Sequence, residues 1–226
     1  MHPTRRVVAN TPDVLTEGDR GPRWALILAC VRRIAEGDRF SGRKPMDLGP
    51  RMMLGHELYG RTLGIVGYGR IGKATAKRAE GFGMRVIHNS RSGGVPFETL
   101  IAESDVVSIH APLTPETKHL FNADVFKNMK STAVLVNTAR GPLVDEAALA
   151  HALRTNEIFA AGLDVFEREP QVEKALLDLD NVTIVPHLGS ATVQTRAAMG
   201  LFAVENLLNG IAGHRPRALV NPEVLT

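Results

Sequence analysis

The sequence has little of what several large classes of protein require. It contains a single cysteine, Cys30, among 226 residues, so an internal disulfide framework and a thiolate zinc site are both excluded, and we expect no metal site. Aromatic residues make up only 5% of the chain and are not interleaved with Lys and Arg, which disfavours nucleic-acid binding. The longest strictly apolar run, residues 24–31, is too short to span a bilayer, so we expect no membrane partner.

The charges of the chain are nearly balanced. Lys and Arg number 27 against 24 Asp and Glu, a formal net charge of +3, and no segment forms a basic stripe. The amino-terminal residues carry charge but no apolar stretch or cleavage site of a secretory signal follows them. With a single cysteine, this composition fits a reducing compartment, and we expect a cytoplasmic protein.

Short apolar runs alternate with helical patterns from Arg61 onward. The predicted strands cover residues 62–66, 84–88, 105–109, 133–137, 159–163 and 182–185. Because these runs lack polar alternation and are separated by helices, they predict a parallel sheet buried on both faces. Six strands in this rhythm predict an α/β fold of the Rossmann type, a doubly wound parallel sheet.

Periodicity and end signals place three helices. The first covers residues 24–36 and ends at Gly37-Asp38, the second covers 145–155 with Asp145 as its cap, and the third covers 190–209. The chain therefore divides into three predicted segments. They are an arm helix and connecting loop at 1–60, a dinucleotide-binding core at 61–189, and a carboxy-terminal helix and tail at 190–226.

A glycine fingerprint lies between the first predicted strand and the helix that follows it. Gly67 allows a tight turn, Gly69 lets the backbone approach a pyrophosphate, and Gly72 permits the helix to pack closely on the strand. Glycines of this spacing also occur where a strand simply ends, so the string alone is a weak signal. Its position inside a strand–helix–strand unit strengthens the prediction of a dinucleotide site.

The end of the second predicted strand indicates which dinucleotide is bound. Ser90 stands where NAD-binding proteins carry an acidic residue for the ribose, and Arg91 follows it directly. A carboxylate would repel a 2′-phosphate, whereas a hydroxyl beside a guanidinium can bind one. NADP(H) is favoured, with NAD(H) as the alternative if Arg91 is only a solvated surface charge.

Three polar residues follow the last three predicted strands, where a doubly wound sheet places its ligands. Taken singly, each has an ordinary structural explanation: Arg140 as a surface charge, Glu169 as a solvated acid in a loop, and His187 as a structural histidine. Together they supply what hydride transfer to a 2-oxo acid needs. Arg140 binds the carboxylate, His187 donates a proton to the forming alkoxide, and Glu169 keeps the imidazole charged.

The most specific strings of the chain are at 67–72, 110–117, 137–146, 162–170 and 186–192. In this order they resemble the D-isomer-specific 2-hydroxyacid dehydrogenases, within them the glyoxylate/hydroxypyruvate reductase and phosphoglycerate dehydrogenase branch, over about residues 7–222. The resemblance implies NAD(P)H-dependent reduction of a small 2-oxo acid such as glyoxylate or hydroxypyruvate. It implies that Arg140, Glu169 and His187 are catalytic and that Asp164 contacts the nicotinamide carboxamide. The remaining implied cofactor-binding positions are Arg70, Ile71, Ser90, Pro112, Thr117, Thr138, Ala139 and Gly189.

The resemblance also carries expectations about the rest of the protein. About a hundred residues of a substrate domain precede this region in the family, and without them the opposing wall of the catalytic cleft is missing. Two alternatives to a working enzyme therefore stay open: a non-catalytic or degenerate cofactor-binding module, and an interaction protein like the related corepressors. The family implies a homodimer formed through the nucleotide domain, weakened if the arm helix is disrupted.

Residues 18–23 depart from the family's pattern. They read Gly-Asp-Arg-Gly-Pro-Arg, where the family tends to read Ala-Thr-Ala-Asp-Leu-Ala within one long helix. One base inserted after the codon of Glu17 and one removed before that of Trp24 convert GC-rich codons for the second string into the first. We hypothesise a pair of compensating frameshifts, either a real lesion or a sequencing error. The Gly21-Pro22 pair predicts a break in the helix.

Overall fold

The computed structural model describes residues 6–12, 14, 20–41 and 49–225. Contacts divide the chain into two compact units, one of Arg20–Leu188 and one of Met1–Asp19 with Gly189–Thr226. This division differs from the three segments expected from the sequence, because the predicted arm helix packs on the sheet and belongs to the larger unit.

The larger unit is built on one sheet of seven strands. They are β1 (Thr62–Val66), β2 (Arg85–Ser90), β3 (Gly93–Gly94), β4 (Val106–Ile109), β5 (Val134–Asn137), β6 (Ala160–Leu163) and β7 (Val182–Ile184). Their order is β3-β2-β1-β4-β5-β6-β7, and every pairing is parallel except that of β3 with β2. The six predicted strands and the doubly wound α/β class are confirmed. The two-residue strand β3 carries no apolar pattern that could have predicted it.

Helices cover both faces of this sheet. They are α1 (Arg20–Val31), α2 (Ile34–Ser41), α3 (Arg70–Ala79), α4 (Phe97–Glu103), α5 (Ala123–Asn128), α6 (Glu146–Arg154) and α7 (Lys174–Leu177). One apolar cluster contains Trp24 and Ile27 of α1, and a second contains Phe126 of α5 and Leu149 of α6. Every residue of β1, β4, β5 and β6 is buried, which explains why these strands read as unbroken apolar runs.

The order of the strands creates a crevice at one edge of the sheet. The chain passes from β1 to β2 on one side of β1 and then crosses back through α4 to β4 on its other side. The topological switch point therefore lies between β1 and β4. In sheets of this kind, ligands bind outside the carboxyl ends of the strands at such a point.

The predicted helix over 24–36 is wrong, because the structure has two helices there. The first, α1, ends at Val31, and Arg33 adopts a left-handed conformation with φ of 54°. Arg33 is held by two hydrogen bonds to the Glu36 carboxylate, of 2.7 and 2.6 Å. The second helix, α2, then passes through the predicted stop at Gly37 and Asp38. The sequence shows no pattern for this kink.

Gly21 and Pro22 lie within α1, which covers Arg20–Val31. Residues 15–19, which precede this helix and include Gly18 and Asp19 of the divergent segment, lie outside the described residues. The predicted break in the family's longer helix therefore stays a prediction. In contrast, Asp145 caps α6 as predicted, because its side chain accepts a hydrogen bond from the amide of Ala148 at 3.0 Å.

The smaller unit contains one long helix, α8 (Val193–Ile211), capped by the side chain of Thr192. A bridge between Ala9 and Leu219 and the side-chain hydrogen bonds of Asn206 hold the two chain ends of this unit together. The prediction of a final long helix is confirmed with ends shifted by two to three residues. No helix in the described ranges is long and apolar enough to cross a bilayer.

Candidate active site

The three glycines of the fingerprint differ in what an added Cβ would meet. Gly67 adopts φ of 95°, and a Cβ there would lie 2.6 Å from the carbonyl carbon of His110, at the switch point. A Cβ on Gly72 would lie 2.4 Å from the carbonyl oxygen of Gly67, so only glycine lets α3 pack this closely. A Cβ on Gly69 would meet nothing within 4 Å. Gly69 therefore borders open space.

That open space lies at the amino terminus of α3. Gly69 is the N-cap of the helix and provides no side-chain cap, and Arg70 and Ile71 form the first turn. Amide groups and the helix dipole at such a terminus favour an anion. The turn and the uncapped ten-residue helix therefore fit the pyrophosphate of a dinucleotide, at the edge where the strand order reverses.

The end of β2 carries the residues expected at the adenosine side. Ser90 donates a hydrogen bond to the carbonyl of Gly93 at 3.0 Å, and Arg91 is exposed. Hydrogen bonding by Thr114 and its own backbone amide, together with the charge of Arg91, lowers the pKa of the exposed Glu116. The charge of Arg91 therefore acts on the loop after β4, which contains Glu116.

The loop after β4 closes on itself beside the crevice. The Thr117 hydroxyl donates to the carbonyl of Pro112 at 2.7 Å and accepts from the amide of Thr114 at 2.8 Å. The structure therefore brings Pro112 and Thr117, two predicted cofactor-binding residues, into one turn. On the other side of the switch point, the rings of Tyr68 and His88 stack with centroids 3.8 Å apart.

The loop after β5 is held by a residue that the sequence reasoning missed. Asn137 is buried, donates to the carbonyl of Arg140 at 2.9 Å and accepts from the amide of Ala139 at 3.0 Å. These bonds fix the backbone of the two predicted site residues, while the Arg140 side chain stays exposed. The available signal was a polar residue ending an otherwise apolar strand.

Glu169 and His187 lie within hydrogen-bonding distance of each other at the same edge of the sheet. His187 Nδ1 lies 3.1 Å from Glu169 Oε2, and both side chains are exposed. Glu169 Oε1 accepts from the amide of Phe166 at 3.1 Å. Burial alone would raise the pKa of Glu169, but the hydrogen bonds from His187 and Phe166 and the charges of His187 and Arg140 lower it. The structure thus brings two of the three predicted catalytic residues, Glu169 and His187, into contact, and the charge of Arg140 acts on the same carboxylate.

The backbone beside His187 is held in an unusual conformation. His187 has φ of 53°, in the left-handed region that few residues other than glycine adopt. Asp164 is buried, and its Oδ1 accepts from the amide of Leu188. Asp164 therefore ties the end of β6 to the residue after the histidine. Gly189, the last predicted cofactor-binding residue, begins the smaller unit.

A buried carboxylate supports the loop that carries Glu169. Glu146 accepts from the amides of Glu167 at 2.6 Å and Glu173 at 3.3 Å, and burial raises its pKa. Gly141 lies against the same loop, where a Cβ would come within 1.9 Å of the backbone of Phe166. Neither contact was predicted. Within the ranges described, no group of three His, Cys, Asp or Glu residues could hold a metal ion.

Comparisons with known proteins place this architecture in one family. Residues 24–189 match the family model described as D-isomer specific 2-hydroxyacid dehydrogenase, NAD binding domain. The glyoxylate reductase of Thermococcus onnurineus is 47% identical, and the match covers 96% of this chain and 70% of that protein.

Solved structures agree with this match. A protein from Thermus thermophilus superposes with a TM-score of 0.89 at 46% identity, covering 95% of this chain and 71% of the other. A structure from Sinorhizobium meliloti, described as an NADPH-dependent glyoxylate/hydroxypyruvate reductase in complex with NADP and malonate, gives a TM-score of 0.82 at 38% identity, covering 96% and 70%.

These similarities do not favour the alternatives of a non-catalytic module or a corepressor-like interaction protein. The chain therefore belongs to the D-isomer-specific 2-hydroxyacid dehydrogenase family, as an NAD(P)-dependent oxidoreductase that acts on CH–OH groups.

Proposed function

We propose that this protein reduces glyoxylate, or a close relative such as hydroxypyruvate, with NADPH as the reductant. The observation that carries the proposal is the Glu169–His187 pair at 3.1 Å, with the charge of Arg140 acting on the same carboxylate. A proton donor held by a carboxylate and a cation for an anionic substrate lie at one edge of the sheet. Similarity to named glyoxylate reductases supports this substrate class.

The side chains divide the work of the reaction. Arg140 binds the substrate carboxylate and polarises the adjacent carbonyl, because its planar guanidinium matches such oxygens. When bound, the reduced nicotinamide supplies a hydride to the carbonyl carbon. His187 donates its proton to the carbonyl oxygen as that oxygen gains charge, which leaves a neutral imidazole. Glu169 holds His187 through Nδ1, so that Nε2 faces the substrate.

The preference for NADP(H) over NAD(H) rests on the end of β2. Ser90 brings no negative charge to the ribose position, and the exposed Arg91 can bind a 2′-phosphate. The complex of the S. meliloti relative with NADP supports this choice. The positions of Asp164, Thr138, Ala139, Pro112 and Thr117, each after β4, β5 or β6, support their proposed role in binding the cofactor.

A turnover assay with matched variants tests the proposal. Purified protein is mixed with NADPH or NADH and with glyoxylate, hydroxypyruvate or pyruvate, and loss of reduced cofactor is followed. We expect His187→Asn to lower kcat by roughly 10²–10⁴, since general acid catalysis contributes that much. The control is His151→Asn, an exposed histidine on α6. Equal rates in wild type and His187→Asn, or no NADPH-dependent turnover with any of the acids, would refute the proposal.

We also propose a homodimer in the cytoplasm as the working form. The family resemblance supports the dimer, and the single cysteine supports a reducing compartment. Burial raises the pKa of the Cys30 thiol to about 12, which keeps it protonated and unreactive. Light scattering after size exclusion tests the dimer, and a monomer at micromolar concentration would contradict it.

A further inference from the structure

Arg23 has the largest fully buried side chain in the described part of the chain, with 1% of its surface exposed. It belongs to the segment that departs from the family's pattern, where the family tends to have alanine. Burying a guanidinium is costly unless its donors are bonded. The partners of Arg23 therefore indicate what the residue does.

Two of its partners belong to elements that border the crevice. Arg23 Nε donates to Thr138 Oγ1 at 2.9 Å, directly after β5, and Nη1 lies 3.5 Å from Thr75 Oγ1 on α3. The Thr75 hydroxyl itself donates to the carbonyl of Ile71 at 3.0 Å, so its oxygen accepts from Arg23. The guanidinium thus links the helix that follows the glycine turn to the loop that carries Arg140.

The bond from Arg23 also sets the direction of the Thr138 hydroxyl. Arginine can only donate, so the Thr138 oxygen must accept, and its proton is left for another acceptor. Among the described residues, only Arg23 bonds to this hydroxyl. Thr138 is 8% exposed and lies at the carboxyl end of β5, where ligands of this fold bind. The remaining proton can therefore serve a bound ligand.

His110, whose pKa responds to the charge of Arg23, does not add a second positive charge here. His110 follows β4, and its Nε2 lies 2.9 Å from the Ser108 hydroxyl. Burial and the charge of Arg23 hold the pKa of His110 well below its ordinary value, so the ring stays neutral. The guanidinium of Arg23 is thus the cation beneath this part of the crevice.

We propose that Arg23 is a positioning residue that fixes the Thr138 hydroxyl as a hydrogen-bond donor to an oxygen of the nicotinamide half of the dinucleotide. The catalytic residue Arg140 follows Thr138 by two positions, and Ser90 marks the adenosine side on the far side of the switch point. The inference rests on the proposed function, since it requires a bound nicotinamide dinucleotide. It predicts that Arg23 affects one half of that ligand and not the other.

Calorimetric titration with two ligands tests this prediction. One is NADPH, and the other is 2′-phospho-ADP-ribose, which lacks the nicotinamide. We expect Arg23→Met and Thr138→Val each to weaken NADPH binding about tenfold, equal to about 1.4 kcal/mol for one lost hydrogen bond. Binding of 2′-phospho-ADP-ribose should change by less than about twofold. The double variant should be no weaker than either single one, because the same bond is lost.

Two further variants keep the test decisive. Arg23→Lys retains a donor and should keep most of the NADPH affinity, and it replaces Arg23→Met if that variant does not fold. Arg39→Met, which removes an arginine on α2 bonded to the carbonyl of Asp180, is the matched control and should change neither affinity.

Equal weakening of both ligands, or unchanged NADPH affinity in folded Arg23→Met and Thr138→Val, would overturn the inference and leave Arg23 a packing residue. Wild-type protein that binds neither ligand would instead refute the proposed function, and the inference would fall with it. Wild-type binding with selective loss in the variants supports both.

Discussion

Replacing Gly69 and Gly72 by alanine should have opposite consequences, although the two residues share one turn. Gly69 has φ of −76° and ψ of −165°, which alanine adopts without strain, and its added Cβ would meet nothing within 4 Å. The Cβ of an alanine at 72 would lie 2.4 Å from the Gly67 carbonyl oxygen and 3.1 Å from Ile65 Cγ2. Because the first of these atoms is backbone, the turn or the helix must shift.

The magnitudes follow from these distances. Overpacking costs about 1–3 kcal/mol, partly offset by the lower unfolded-state entropy of alanine, so Gly72→Ala should lose about 1–2 kcal/mol. For a chain of this size that loss lowers Tm by roughly 2–8 °C. Gly69→Ala should keep or slightly raise Tm. The added methyl group would occupy the space expected for the pyrophosphate. Loss of one charge-assisted hydrogen bond, about 1.5–3 kcal/mol, should weaken NADPH binding roughly 10–100-fold.

Thermal unfolding followed by circular dichroism and calorimetric titration of NADPH measure both effects on the same samples. We expect Gly69→Ala to be as stable as wild type but to bind NADPH weakly, and Gly72→Ala to be less stable but to bind NADPH when folded. If Gly69→Ala binds NADPH like wild type, the pyrophosphate does not lie at this turn. If Gly69→Ala lowers Tm as much as Gly72→Ala does, residue 69 is packed as closely as residue 72.

Three further predictions concern the charge, the cofactor and the gene. Because the pKa of Glu169 is lowered, its carboxylate stays paired with His187 at mildly acidic pH, and the pair is lost only as the pH falls through that lowered pKa. The pH profile of kcat/KM should therefore stay flat at mildly acidic pH. A fall in kcat/KM in the ordinary carboxyl range that Glu169→Gln abolishes would contradict this. Arg91→Ala should weaken NADPH about 10–100-fold and leave NADH unchanged, while Ser90→Asp should shift preference toward NADH; titrations that show parallel changes for both cofactors would place the 2′-phosphate elsewhere. Resequencing the locus at codons 18–23 checks the frameshift hypothesis. If the DNA encodes these residues as given, a sequencing error is excluded. If the corrected sequence encodes alanine at 23, the role of Arg23 applies only to the frameshifted chain.

Local patterns were enough to predict the sheet and the fingerprint. The strand at 62–66 was predicted with its observed ends, because every residue of β1 is buried and the run is apolar after its first residue. Asp145 was identified as a cap, since capping depends on residues three positions away. The roles of Gly67 and Gly72 also follow from short-range geometry. These signals lie within a few residues of each other, so the sequence displays them.

The arm region shows where local signals fail. Gly37-Asp38 is an ordinary helix stop, yet α2 passes through it because Arg33 and Glu36 form a kink that starts a new helix earlier. The kink joins residues only three positions apart, but whether Arg33 turns there depends on the packing of α1 on the sheet.

Residues close together in the chain were enough to predict the fold class, the dinucleotide turn and the three polar residues after the last strands, and the chemistry of hydride transfer predicted that Glu169 holds His187. The contacts by which Asn137 holds the loop of Arg140 and Arg23 reaches Thr138 appear only in the folded chain. Arg23 and Thr138 are 115 residues apart. Contacts of this kind have no local pattern, because they exist only after the strands align their carboxyl ends at one edge of the sheet.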